Sequence, residues 1–370
     1  MRSLPFPKIL VFTIICTFLA FSSLLGQKKA AAEVDVAKSW SYPLVNGEEV
    51  ASDGSHVYLA SAGAKVEALS LDGKKIWLSE FGGQISSNII ATESSVFLVT
   101  TTVSGDAAKL GGSKLRTLSK ETGITNWTVA LPDSDKYFLR SVNGMIIVIS
   151  GSGVIEEADA KDGGVKWKRE IVEDLVAEPE FTVTDVIVAT NGGQILRLSM
   201  ATGEIISTRK APFRVTSLAE ADGDLIVGDE RGNLSYYGSG TDRADWIFKS
   251  GGEVSYVLPV NGNVLAASHD NFIYFLARRN GDRVWKKRLS GRVAQIATVP
   301  NRYSHFALAA TPGEQRVEVI DLTTGKVAGQ IALEEEESVV ASPVILDTGV
   351  LFLLTNEGLR AYSSAYFARK

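Results

Sequence analysis

Cysteine is nearly absent: the 370-residue chain has one, Cys16, inside an N-terminal apolar run. Loss of that run would leave a domain without disulfides, thiolate metal sites or thiol nucleophiles. Histidine is almost as scarce. His56, His269 and His305 stand far apart without metal-ligand spacing, so hydrogen-bonded or solvated turn histidines are expected rather than a metal centre. Helical periodicity is missing too: no stretch beyond the apolar run sustains a 3.6-residue apolar repeat, which excludes long amphipathic helices. Basic excess is lacking as well. Residues 1–29 carry four bases and no acid, which leaves 34 basic against 43 acidic side chains in the rest of the chain. With no basic stripe interleaved with aromatics, nucleic acid is not an expected partner, and nothing general attracts the globule to anionic lipid.

The N-terminus reads as a targeting segment. Arg2 and Lys8 precede an apolar run from Ile9 to Gly26, a charged region followed by a hydrophobic one. Residues 1–29 are expected to be a cleaved signal peptide or a retained N-terminal anchor, and 30–36 a short linker. Either outcome places the remainder outside the cytoplasm, and the cysteine-free domain suits a bacterial periplasm. Lipidation at Cys16 is not expected, because Ile15 precedes it and further apolar residues follow.

What the chain does have is repetition. A glycine stands four residues before a tryptophan at Gly73/Trp77, Gly123/Trp127, Gly163/Trp167 and Gly281/Trp285. Degenerate copies place Ser207, Trp246 and Gly329 at the tryptophan position, with steps of 50, 40, 40, 39, 39 and 44 residues along the series. Trp40, 37 residues before Trp77, continues the series backwards, so all six tryptophans fall on it. Short β-branched runs such as Val186-Ile187-Val188-Ala189 recur in step, flanked by turns such as Asp222-Gly223 and Asn261-Gly262. Four short strands per ~40 residues, repeated, predict a β-propeller.

Seven complete units are predicted at 47–81, 84–131, 137–171, 175–211, 214–250, 253–289 and 292–333. An eighth starts near Ser338 and stops around Ser364, one strand short. The strand around Trp40 is unassigned, so the sequence predicts an all-β, eight-bladed propeller of four-stranded blades over 37–370, closed when the N-terminal strand completes the last blade. Closure removes the free edges of an open array.

The segments Val66–Trp77 and Ile273–Trp285 resemble the pyrroloquinoline-quinone (PQQ) repeat, and the resemblance covers roughly 37–364. It implies that each glycine turns the chain between the third and fourth strands. It also implies that Trp40, Trp77, Trp127, Trp167, Trp246 and Trp285 pack between blades, with weaker junctions at Ser207 and Gly329. Two branches of the family differ in function. Quinoprotein dehydrogenases bind PQQ and Ca²⁺ in the central funnel, often under a vicinal disulfide; none of their cofactor residues can be matched to a position here. Bare-blade scaffolds, similar in size and blade count, serve outer-membrane β-barrel assembly. The resemblance therefore implies a non-catalytic, monomeric envelope scaffold without cofactor, whose partners are envelope proteins such as the outer-membrane assembly machinery; PQQ/Ca-dependent dehydrogenation is the alternative. Membrane contact is expected through the N-terminal segment or a partner.

Candidate contact residues come from two equivalent turns between second and third strands, Asp229-Glu230-Arg231 and His269-Asp270-Asn271, which adjacent blades would present on one face. The corresponding connection of the second blade, 103–113, is about ten residues longer than its counterparts and would project from the same face. The run Glu334–Glu337 reads as a solvated connection, and the Lys/Arg clusters beside Trp167 and Trp285 as edge protection.

Overall fold

Apolar runs without alternation, such as Val57-Tyr-Leu-Ala60, belong to strands covered on both faces. In the computed structural model, which describes residues 34–103, 110–299 and 305–369, they are the second strands of eight blades. Successive side chains of such a strand point to opposite neighbours. Val57 and Leu59 pack on the last blade, and Tyr58 and Ala60 on the second. Buried residues accordingly form eight clusters, each shared by two consecutive blades, the last shared by blades 8 and 1. The core is a ring of seams rather than one central mass.

Each blade is an antiparallel sheet in chain order, innermost strand first. Blade 1 runs Gly47–Ser52, His56–Ser61, Lys65–Ser70 and Lys75–Glu80. The first strand of blade 2 is split into Gln84–Ile85 and Ile90–Ala91, both on Ser95–Val103. In blade 8 the chain order breaks: Gly358–Ala368 pairs on its outer side with Ala37–Pro43. The N-terminal strand thus closes the ring. The distant pairing even repeats a local irregularity. In seven blades the residue before the tryptophan position bulges out of the ladder; Ser39 does so in blade 8, as Ile76 does in blade 1. Among the described residues there is no helix. The expected targeting segment 1–29, and residues 30–33 of the expected linker, lie outside the described residues.

The tryptophan positions explain the Gly-to-Trp spacing. Gly73 turns with φ +83°, and a Cβ there would lie 2.8 Å from the Trp40 ring of the preceding blade. The ring of one blade's outer strand lies flat against the next blade's glycine turn, which leaves no room for a side chain. Five indoles then donate to backbone carbonyls of that next blade at 2.7–3.0 Å: Trp40 to Leu71, Trp77 to Lys120, Trp167 to Met200, Trp246 to Arg278 and Trp285 to Leu322. Trp127 packs on Gly163 in the same way.

At the two tryptophan-free junctions, expected to pack more weakly, other groups take the place of the indole. Beside Ser207, Arg209 reaches blade 5 instead. Its Nη1 donates to Asp242 O at 2.8 Å, Nη2 donates to Thr241 O, and the guanidinium stacks 4.2 Å from the Tyr237 ring centre. At Gly329 the filler comes from the other end of the chain. Val34 is buried in the seam of blades 7 and 8, and its N–H donates to Ala328 O at 2.7 Å. A Cβ on Gly329 would sit 2.5 Å from the Val34 carbonyl oxygen, so this position needs glycine. Residues 34–36, read as linker, are seated on the propeller.

Glu337 corrects a second expectation. It is 4% exposed, not solvated; it faces the Arg360 guanidinium at 2.9 Å and accepts from Thr355 Oγ1 at 2.7 Å. It pins the connection between blades 7 and 8 to the third strand of blade 8.

Candidate functional site

Antiparallel strands in chain order put the second-to-third turns and the blade-to-blade connections on one end face. The hydrogen bonds between them show it: Ala211 N–H donates to Gly193 O, Glu230 N–H to Arg214 O, Ser250 N–H to Gly232 O and His269 N–H to Glu253 O. The two turns singled out in sequence are neighbours here, joined through Ser250, whose hydroxyl donates to Gly232 O at 3.0 Å and lies 3.2 Å from the Ser268 hydroxyl.

Their six residues divide by chemistry. Asp229 is buried, and its carboxylate accepts from the N–H groups of Arg231 and Asn233, both at 2.9 Å, and from the Asn233 amide at 2.7 Å. Asp270 accepts from Gly251 N–H at 2.7 Å, Phe272 N–H at 3.1 Å and Tyr274 Oη at 2.6 Å; these bonds outweigh burial and hold its carboxyl below the usual range. Asn271 takes a positive φ of 68°. These three shape their turns. Glu230 and Arg231 are exposed, and His269 is half-buried, with Nδ1 3.9 Å from Glu253. Glu230 and Arg231 present their side chains to solvent on this face.

Two apolar side chains that sequence reasoning passed over extend this patch. Val172, in the connection from blade 3 to blade 4, is fully exposed at 101%, and Phe213, in the next connection, is 42% exposed. Both connections flank the blade 4 turn: the Glu173 carboxylate accepts from Gly192 N–H at 2.9 Å, and Lys210 Nζ donates to Gly192 O. Phe213 lies under the Arg231 guanidinium, 5.7 Å from its ring centre. The result is a band over blades 3 to 6, apolar at Val172 and Phe213 and edged by Glu230, Arg231 and His269. An aromatic in a short blade-to-blade connection, Ala211-Pro-Phe-Arg214, was the available signal. The long blade 2 hairpin continues its ladder to Val103 and Leu110; 104–109, the middle of the expected binding loop, lies outside the described residues.

The innermost strands of all eight blades enclose a central channel of about 1040 Å³. Its charge is lopsided: Glu49, Glu178 and Glu180 face Lys136 and Arg140, with Lys136 Nζ 3.2 Å from Glu178. Burial pushes the Glu49 carboxyl up to about 7, the Glu178 charge adds to this, and Lys136 opposes it. Burial raises Glu180 to about 7 as well, where the Glu220 N–H bond and Arg140 lower it and the Glu220 charge raises it. Asn88, the amide side chain between the two short first strands of blade 2, holds Leu139 of blade 3 through both its ends, at 2.8 and 3.0 Å. No three His, Cys, Asp or Glu side chains among the described residues are grouped to hold a metal ion.

Fold and repeat together define a PQQ-repeat propeller of eight bare blades. A family model described as outer membrane protein assembly factor BamB matches residues 28–148, 139–235 and 211–365, and the chain belongs to that family. It is 24% identical over 143 residues to the outer membrane protein assembly factor BamB of Salmonella typhimurium; the aligned stretch covers 37% of this chain and 36% of that relative. The crystal structure of BamB from Moraxella catarrhalis superimposes with a TM-score of 0.66 at 18% identity, over 89% of this chain and 97% of that one. The computationally designed Ika8 protein gives a TM-score of 0.72 at 12% identity, over 88% and 99%. Such low identities convey the fold alone.

Proposed function

We propose that the protein is a non-catalytic scaffold of the bacterial cell envelope that serves outer-membrane protein assembly by binding a protein partner on the end face of blades 3 to 6. Membership of the BamB family supports the setting. The observation that carries the binding surface is Phe213, exposed beneath Arg231 and one loop from Val172. Aromatic and arginine side chains dominate the energetics of protein interfaces; Arg231 stands on a turn held by the Asp229 carboxylate, and Phe213 on the connection beside it. Glu230, Arg231 and His269 form the polar edge. The leader delivers the domain to the periplasm, and the propeller acts as a monomer.

Affinity purification of the tagged full chain from native envelopes, followed by mass spectrometry, tests this reading. Recovery of outer-membrane assembly proteins is expected. Stoichiometric uptake of PQQ with Ca²⁺, together with dye reduction by an alcohol or aldose, would overturn it in favour of a quinoprotein dehydrogenase.

A further inference from the structure

Charge is unevenly spread on the end face. The chain carries a net charge of −5, yet blades 4 to 6 gather arginines there. Arg214 lies in the connection from blade 4 to blade 5, and its carbonyl accepts from Glu230 N–H on the neighbouring turn. Arg231 follows on that turn, over the Phe213 ring. Arg288 pairs in the ladder with Phe272, directly after the blade 6 turn, and Arg292 lies in the connection to blade 7. All four are exposed, and among the described residues none forms an ion pair with a carboxylate of the chain. Two lysines add to them: Lys210 donates to Gly192 O and Lys249 to Arg231 O, so both ammonium groups rest on turn carbonyls.

The acids of the same turns and connections are mostly engaged. Asp229 and Asp270 hold backbone N–H groups, and Glu253 lies 3.9 Å from His269, which leaves Glu230 exposed among the arginines. Acids gather instead on either side. Glu173 and Asp174 precede the sector; beyond blade 7, whose turn pairs Arg316 with Glu314 at 3.3 Å, come the exposed Glu334, Glu335, Glu336 and Glu357. Like charges grouped without an internal counterpart steer a partner of the opposite sign.

We propose that this sector takes an acidic segment of a partner protein, which rests on the end-face reading above and adds the partner's chemistry. Carboxylates of the segment meet Arg214, Arg231, Arg288 and Arg292 in forked pairs, and an apolar side chain beside them covers Phe213. A polypeptide fits better than a phospholipid surface or a nucleic acid. Glu230 and Glu253 stand among the arginines, where a continuous array of phosphates would meet them, and the single exposed aromatic of the sector, Phe213, makes no platform for successive bases.

The test uses the full chain and a rhodamine-labelled peptide of glutamates around a central Val-Leu, read by anisotropy. Saturable binding that weakens as salt rises is expected, and none to the same peptide with glutamine in place of glutamate. Arg214→Gln with Arg231→Gln, and Arg288→Gln with Arg292→Gln, should each weaken it about fivefold. Lys161→Gln with Lys326→Gln, on the opposite end face, removes the same charge and should leave it unchanged; melting temperatures equal to the parent's check that each variant folds. No binding of the glutamate peptide, equal binding of the glutamine peptide, or equal loss in the lysine and arginine doubles would overturn the proposal. Vesicles of anionic phospholipid that bind the parent but not the arginine doubles, with the peptide unbound, would give the sector to a membrane and overturn it too. Envelope purification tells the two levels apart. Assembly proteins recovered equally by the parent and the arginine doubles would keep the face and remove its acidic partner; recovery of none by the parent would remove the assembly role, and the peptide then decides the acidic preference by itself.

Discussion

Six junctions of the ring are latched by tryptophan and two are not, and the two exceptions differ from each other. At the blade 4/5 junction Arg209, two residues along the same strand, does the latching, so the repair is local. At the blade 7/8 junction the filler is Val34, almost 300 residues away in sequence, and the repair also seals the ring. The difference teaches that a missing repeat residue is not a weak point by itself. What replaces it decides whether the position serves stability alone or is a place where another segment seats.

The strongest way to break the comparison is to remove a latch. Trp40→Ala strips a half-buried ring from the Gly73 turn and leaves the Leu71 carbonyl without its indole donor, and should cost about 3 kcal/mol, the low end for large aromatics. Trp167→Ala should cost a similar amount although it lies within one continuous blade, and thermal unfolding of the two variants measures this. A silent Trp40→Ala would mean that the strand Ala37–Pro43 does not close the ring.

Substituting the two exceptional positions sharpens the contrast. Gly329→Val forces a branched side chain into the Val34 backbone and should destabilise by about 1–3 kcal/mol. Ser207→Val, on an exposed site, should stay within about 0.5 kcal/mol. Arg209→Ala should cost about 1–3 kcal/mol, because two carbonyls of blade 5 lose their donor. Equal effects of Gly329→Val and Ser207→Val would erase the distinction between the junctions.

A smaller effect than the loss of a latch comes from the channel. Glu49 and Glu180 have folded-state pKa values raised to about 7, above an unfolded carboxyl, so the native state holds protons the unfolded state has released. Their contribution to stability is full below the unfolded value and is lost as pH rises through about 7. The melting temperature should fall by a few degrees between about pH 5 and pH 8, and Glu49→Gln with Glu180→Gln should flatten that slope. A slope unchanged in the double variant would assign the pH dependence elsewhere.

Blade number, strand order and ring closure were legible because each rests on periodic local chemistry: a glycine turn, an apolar run, an aromatic in register. The fillers were not. Arg209 looks like any outer-strand cation, Val34 like linker, and Glu337 like one of four solvated acids; each role exists only once distant blades are assembled. The candidate face was half legible. Equivalent turns did fall together, but Asp229 and Asp270 proved to be turn-holders, as aspartates ahead of tight turns commonly are. Val172 and Phe213 carried no periodic signal, since exposure of an apolar loop residue is decided by its neighbours in space.

The measurement that bears most directly on the scaffold reading compares the parent with a Val172→Glu, Phe213→Glu variant in the same envelope purification. The variant should melt at the parent's temperature and fail to recover the outer-membrane assembly proteins that the parent recovers. Undiminished recovery by a normally folded variant would contradict the assignment of partner binding to this face.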